Sequence, residues 1–458
     1  MKRILDPKEL GACVKRHGPT LYRVLLSVLT VLVAVLTRGD TERIAPFAIA
    51  MVIALCIGLV LLRRTRYLTL IFLELSLLLI FCYDSFSFFI EYVWLLPIAV
   101  VALTVHLVRL CPRFSFGASF LPLAAVALAT MLGGVGMIGA GDYFRPASLV
   151  FMIGLGPGLL LCYWILKNEA REDADEEALL SDLCFWGMSA ALIVFAYMLP
   201  ALWEVRAFHL LPSVQWSNNV STMLLIAMPA TVCWAHKQSA GYLLAFGMFG
   251  ALMLSGSRGG QLFAGVELVI CCVAGRMTER DPVKKIWAEM FCAYAVMVAV
   301  YAGVLMAVNG GAFGIYNPEE VRWKLVERSF ANFRENPLFG SGLGYLGNAD
   351  LYDGKAGTIN WYHCFPAQVL GGLGIFGVLA WGWQLINRLR LSIAVRKDSV
   401  FLLALCYLGL LLMSMVNPGE FCPIPYAYLA VFFFVMTERK TAIATNPFQK
   451  KHSHEETA

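Results

Sequence analysis

The chain has 458 residues, of which 59% are hydrophobic and only 15% charged, with a mean hydropathy of +0.70. A water-soluble chain carries charge on nearer a quarter of its residues, so a soluble globular enzyme is excluded. The net charge of +5 does not point to nucleic acid, because the basic residues sort by side of a membrane.

The first twenty residues, MKRILDPKELGACVKRHGPT, are polar and basic. No cleavable signal peptide is evident, so the apolar stretch that follows is expected to act as an uncleaved anchor. Fourteen apolar stretches succeed one another, near 20–37, 45–62, 68–83, 91–109, 119–139, 147–166, 184–203, 220–235, 241–254, 261–276, 286–308, 365–386, 399–415 and 423–437. Most approach the length that crosses a hydrocarbon layer of about 30 Å as a helix. The fold class expected is all-α, a polytopic helical membrane protein with about 14 transmembrane helices and one large extracytoplasmic loop.

With the N-terminus inside, alternation places 26 of the 36 Lys and Arg in cytoplasmic segments and 10 outside, as the positive-inside rule expects. The chain then divides into a cytoplasmic segment 1–19, helices 1–11 over 20–308, an extracytoplasmic loop 309–364 with a helix at 321–336, helices 12–14 over 365–437, and a cytoplasmic tail 438–458. The acidic stretch KNEAREDADEEALLSD (167–182) reads as a solvated cytoplasmic linker. Most of the thirteen cysteines, Cys56, Cys162, Cys233, Cys271 and Cys272 among them, fall in apolar stretches without metal-site spacing, where cysteine acts as a small hydrophobe. Glu74 and Glu267 lie inside spans, where carboxylates are functional candidates by default. Glu267 is nine residues beyond Arg258, on the opposite helix face, and reads as a helix-packing residue.

The breaks in this pattern carry the chemistry. LMLSGSRGGQLFAG (252–265) interrupts two apolar stretches with small residues and puts Arg258 at a membrane boundary. The surrounding Ser257 and Gly259 allow close backbone approach and offer donors, a setting that suits phosphate oxygens. A snorkelling arginine in a tight turn is the plain alternative.

VRWKLVERSFANFRENP (321–337) reads as a helix stopped by Pro337. At about 100° per residue, Leu325, Val326, Ser329, Phe330 and Phe333 share one face with Arg322. Lys324, Glu327, Arg328, Arg334 and Glu335 fall on the other. A buried-side arginine needs a partner or an anion, and Glu204 or Asp142 could pair with it instead of a ligand.

GLGYLG (342–347) follows. It fits the spacing of a dinucleotide-binding turn, but no βαβ unit surrounds it, so that reading fails. Of seven histidines only His209 and His363 fall outside, and His363 opens an apolar stretch in NWYHCFPAQVLGGLGIFG (360–377). A histidine at such a boundary is more often structural than catalytic, and the company of two arginines shifts that balance.

Taken in order, SGSRGG (255–260), Arg322 followed by NPLFGSGLG (336–344), and His363 followed by LGGLGIFG (370–377) resemble the O-antigen ligase and O-antigen polymerase superfamily of membrane glycan-assembly proteins. The sequence departs from that pattern at Cys364, where the family often has Asn, and at Gly372, near which it often has an acid.

The resemblance implies a GT-C-like architecture and transfer of glycan from an undecaprenyl-diphosphate carrier to an acceptor hydroxyl on the extracytoplasmic face of a bacterial inner membrane. Arg258 and Arg322 would stabilise the leaving diphosphate, and His363 would be the base. Ser257, Gly259, Gly342 and Gly344 would form the turns close to it. It implies inversion in one displacement, no metal and no cofactor, and as partners a lipid-linked oligosaccharide donor and a glycan or lipid-glycan acceptor. A polysaccharide flippase and a peptidoglycan-type glycosyltransferase, with Asp350 or Asp353 as base, are the competing readings.

Overall fold

A computed structural model describes residues 7–81, 91–113, 116–135, 146–169, 174–203, 214–308, 321–343 and 361–445. Every regular element among them is helical. The α-helices are α1 (Pro7–Thr37), α2 (Thr41–Leu61), α3 (Thr69–Phe81), α4 (Leu95–Leu110), α5 (Phe120–Leu132), α6 (Pro146–Leu155), α7 (Pro157–Glu169), α8 (Ala174–Trp203) and α9 (Val214–Ala227). There follow α10 (Thr231–Lys237), α11 (Tyr242–Leu254), α12 (Arg258–Thr278), α13 (Pro282–Val308), α14 (Val321–Glu335), α15 (Phe365–Ala394), α16 (Phe401–Ser414) and α17 (Tyr428–Thr445).

Each of the fourteen apolar stretches falls on one of these helices or on a broken pair. Among the described residues seven helices are long and apolar enough to cross a membrane, and four apolar ones are shorter. The expectation of about fourteen crossings therefore rests on the short helices as well as the long ones.

The centre of the bundle is built from α8, α9, α16 and α17. Met223 to Met228, Cys406, Leu410, Phe433 and Val435 are fully buried there. Lipid is as apolar as leucine, so helices associate through close packing more than through water exclusion. Gly409 shows the device: a Cβ on it would stand 2.4 Å from the Leu225 carbonyl oxygen, so only glycine lets α16 meet α9. At the periphery, α13 exposes Met297, Val300, Tyr301 and Leu305, the outward apolar surface of a helix that packs chiefly on α12. The eleven cysteines whose side chains are described are free thiols.

The acidic stretch 167–182 corrects the sequence reading. Glu169, Asp175, Glu176 and Asp182 are buried. Glu169 accepts from Thr65 and lies 2.7 Å from His106; Asp175 pairs with Arg66, and Asp182 sits 2.6 Å from Arg23. Glu176 accepts from Ser399 at 2.5 Å. Carboxylates this closely spaced look solvated when read along the sequence. Here basic and hydroxyl groups from four other segments close over them, as burial of charge demands.

Helix α15 is broken. Gly374 has φ 64° and ψ −156° inside it, a left-handed conformation that glycine adopts without steric cost. The break is sharp: a straight helix would separate Phe365 and Trp381 by about 24 Å, yet their ring centroids are 5.0 Å apart. Phe421 completes the cluster, 5.6 Å from Phe365 and 5.3 Å from Trp381.

Candidate functional site

In an unbroken helix Ile375 would donate its N–H to the Gly371 carbonyl and Phe376 to that of Gly372. The segment Pro337–Gly342 takes both places. Ser341 N–H donates to Gly371 O at 2.9 Å and Gly342 N–H to Gly372 O at 2.8 Å. Ile375 N–H donates to Pro337 O at 2.8 Å and Phe376 N–H to Leu338 O at 3.2 Å. Four main-chain groups orphaned by the break are thus satisfied by the chain that follows α14. The fit leaves no room for a side chain: a Cβ on Gly340, whose φ is +63°, would lie 2.5 Å from the Gly372 carbonyl carbon. Gly134, just past α5, adds a donor to Phe339 O at 3.0 Å.

A polar network ties the same parts together. Asn332 of α14 donates to the Tyr362 hydroxyl and, at 3.3 Å, to Ser341 Oγ. Ser341 Oγ donates to Gly371 O at 3.0 Å, and Tyr362 N–H donates to Gln368 Oε1 at 3.0 Å. Tyr362 is almost wholly buried, so its neighbour His363 leaves a fixed point of the chain.

On α14, Leu325, Ser329 and Asn332 are buried. Their spacing of four and three defines the inward stripe, and Arg322, three residues before Leu325, continues it. Arg322 is half-buried, and Arg334 on the far side is exposed. The sequence reading also turned Phe330 inward; it is 52% exposed. Asn332 takes the inward place, because its hydrogen bonds to Tyr362 and Ser341 set the rotation of the helix. Glu204 and Asp142, the carboxylates considered as partners for Arg322, lie outside the described residues, as do Gly344, His209, Asp350 and Asp353.

His363 has φ 50°, a left-handed conformation that is uncommon for a residue with a Cβ and is characteristic of functional sites. The residue is half-buried, and the Asn417 side chain, in the turn after α16, bears on its protonation. Burial, with the Arg322 guanidinium nearby, pushes its pKa down to about 4, against the opposing pull of Asn417. The ring is neutral near pH 7.

The SGSRGG turn reaches the same place from another side. Ser257 caps α12, accepting from Gly260 N–H at 3.2 Å and donating to Asn218 Oδ1 at 2.8 Å. A Cβ on Gly259 would stand 2.5 Å from Val416 Cγ2, so this turn packs on the residue next to Asn417. Arg258, the first residue of α12, is exposed. Glu267, on the other face of α12, is fully buried, and its carboxylate oxygens have no hydrogen-bond partner among the described residues.

Arg322 and Asn417 thus both bear on the His363 imidazole, and the Arg258 turn packs on Val416, next to Asn417. Of the small residues, the Gly342 amide donates to Gly372 O, and the Ser257 hydroxyl bonds Asn218 and Gly260. Asn218, Asn332 and Asn417 were missed by the sequence reading. Among the described residues no group of His, Cys, Asp or Glu is arranged to hold a metal ion.

Residues 243–382 match the family model described as O-Antigen ligase. That span runs from α11 to just past the break in α15 and contains Arg258, Arg322 and His363, whereas Asn417 and Asn218 lie beyond it. No curated protein matches the chain.

Proposed function

We propose, from the match of residues 243–382 to the O-antigen ligase family model, that the chain is a membrane glycosyltransferase moving a lipid-linked glycan onto an acceptor hydroxyl. The donor is an undecaprenyl-diphosphate-linked oligosaccharide, and the reaction takes place at the extracytoplasmic face of the inner membrane. Arg322 and Arg258 bind the diphosphate; a guanidinium matches its oxygens bidentately and stabilises the charge that develops as it leaves. His363 accepts the proton of the acceptor hydroxyl as that oxygen attacks the anomeric carbon. The bond to the diphosphate breaks with its electron pair, and the carrier departs as the free lipid diphosphate. One displacement inverts the anomeric centre, and no step needs a metal.

The observation that carries this reading is the Arg322 charge acting on His363, whose neighbour in that field, Asn417, follows the Val416 packed on Gly259. The electrostatics suit an anionic donor. Burial and then Arg322 depress the imidazole, and a diphosphate bound to Arg322 would offset the part due to that charge, raising basicity as the substrate arrives. Transfer onto a growing glycan or onto a lipid-anchored glycan uses the same groups.

The test is complementation of a strain lacking this gene. Cells expressing the wild-type chain should assemble surface glycan; cells expressing Arg322→Ala at equal membrane level should accumulate the lipid-linked donor. Normal surface glycan with Arg322→Ala would overturn the reading. Accumulation of donor only on the cytoplasmic leaflet would favour a flippase instead.

A further inference from the structure

We propose that Glu74, Ser27, Thr30 and Ser189 form a binding site for one monovalent cation of the sodium type, between α1, α3 and α8. The proposal stands independently of the transfer reaction.

The three helices pack on one another pairwise and bring oxygen-bearing side chains together in an apolar setting. Ser27 Oγ of α1 donates to Glu74 Oε1 of α3 at 2.9 Å. Ser189 Oγ of α8 donates to the same oxygen at 2.7 Å, with the Phe185 carbonyl its more distant alternative at 3.1 Å. Thr30, three residues after Ser27, lies on the same face of α1. Glu74, Thr30 and Ser189 are fully buried and Ser27 nearly so. Leu70, Leu73 and Leu77 of α3 and Ala190 and Ile193 of α8 are also fully buried.

Two buried oxygens are left over. Glu74 Oε2 and Thr30 Oγ1 have no hydrogen-bond partner among the described residues. An oxygen that accepts two hydroxyl protons is the setting of a carboxylate, and a buried carboxylate needs an opposite charge. The guanidinium closest to Ser27 in sequence is committed elsewhere. Arg23, one turn earlier on α1, gives Nε to Asp182 at 2.6 Å and Nη2 to the Ala178 carbonyl at 3.4 Å.

Charge and ligand type select the occupant. One carboxylate among three neutral hydroxyls supplies a single negative charge. A monovalent cation neutralises it, whereas a divalent one would leave an excess charge in apolar surroundings. Hard oxygen donors, without thiol or imidazole, suit an alkali cation rather than a transition metal. Glu74 Oε2 and Thr30 Oγ1 then become direct ligands, and Ser27 and Ser189 turn their protons to Oε1 and keep lone pairs for the cation. An ionisable residue inside a membrane span commonly marks an ion site, and occupancy here would pin α1 and α3 to α8.

Binding of radioactive sodium to the purified full chain in detergent, with choline chloride as the background salt, tests the site directly. A single ion per chain should bind, be displaced by unlabelled NaCl and be lost in Glu74→Gln. Thr30→Val, which keeps the shape and removes the hydroxyl, should weaken binding about tenfold or more; it carries the test by itself where Glu74→Gln fails to fold. Thermal unfolding gives a second readout. The wild-type Tm should rise as NaCl replaces choline chloride at constant ionic strength, and the Tm of Glu74→Gln should not. Absence of saturable sodium binding by the wild-type chain overturns the proposal. So does binding that Glu74→Gln and Thr30→Val leave unchanged, which would put the ion elsewhere. A wild-type Tm that ignores sodium and falls as pH rises, while Glu74→Gln stays level, would give the two free oxygens a shared proton beside the Arg23–Asp182 pair. That result also overturns the cation.

Discussion

The amide nitrogen of Gly342 stands 2.8 Å from the carbonyl oxygen of Gly372, the oxygen that Phe376 would claim if α15 ran unbroken. A loop has replaced a piece of helix as hydrogen-bond partner, and the site is built on that exchange. Gly340→Ala should therefore damage the protein before it damages chemistry. A left-handed φ costs a non-glycine residue about 1–3 kcal/mol, and the clash with Gly372 adds to it. Thermal unfolding in detergent should show a Tm lowered by several degrees, with His363 and Arg322 intact in sequence. An unchanged Tm would mean that the loop can leave the break without loss.

Arginine substitutions separate anion binding from general electrostatics. Arg322→Ala and Arg258→Ala should each lower transfer by about 10²–10³ while the protein still inserts. Arg322→Lys should recover under a tenth of the loss, because it supplies a point charge without the planar fork. Arg334→Ala, on the exposed side of α14, should stay within about threefold of wild type if solvated surface charges act only weakly. The measurement is transfer rate with purified variants at matched concentration; an Arg322→Ala enzyme as fast as Arg334→Ala would return Arg322 to a packing role.

The pH profile follows from the depressed imidazole. In the free enzyme His363 is neutral above about pH 4, so kcat/KM should stay level from pH 8 down to about 5 and fall below that. The limb in kcat, which reports the donor-bound enzyme, should lie at higher pH because bound diphosphate offsets Arg322. Linkage has the same sign: an unfolded histidine binds its proton near the ordinary value of about 6.5, and the folded one near 4. Stability is thus lost as pH falls from 6.5 towards 4. His363→Gln should lose about 10²–10⁴ in rate at every pH; a limb that persists in His363→Gln belongs to another group.

Sidedness is open to a direct check. In a background without native cysteines, a cysteine at Lys324 should react with an impermeant maleimide from outside intact cells, and one at Arg280 should not. The reverse pattern would turn the whole arrangement over and put the arginines on the wrong face for a lipid-linked donor.

At the other end of the bundle, Asp175→Ala leaves Arg66 without its buried partner. Breaking such a pair costs about 3–5 kcal/mol, so Tm should drop while donor KM stays unchanged in the folded fraction. A changed KM with unchanged Tm would show that the acidic cluster belongs to a site.

Much of this was legible in the sequence. Apolar clumping marked the helices, and the 3.6-residue period placed Arg322 inward beside Leu325 and Ser329. The glycines of the 337–344 and 370–377 segments announced a close approach. What they approach was not legible, because the exchanged hydrogen bonds join residues some thirty positions apart through main-chain atoms that leave no mark on residue type. Phe330 was misplaced because a face assigned by hydrophobicity overlooks a polar anchor such as Asn332. The stretch 167–182 was misjudged because its partners, Arg23, Arg66, His106 and Ser399, are scattered over the chain. Asn417 escaped notice as an uncharged residue 54 positions after His363, in a turn without a chemical signature.

The central claim is that these groups transfer a lipid-linked glycan without assistance. The most direct measurement is reconstitution of the purified chain in vesicles with an undecaprenyl-diphosphate oligosaccharide and an acceptor glycan in the presence of EDTA, with products read by mass spectrometry. The account predicts an acceptor extended by the whole oligosaccharide, release of undecaprenyl diphosphate in equal amount, an inverted anomeric linkage and loss of all three with His363→Gln. No product from the wild-type protein, with donor instead redistributed across the bilayer, would contradict it.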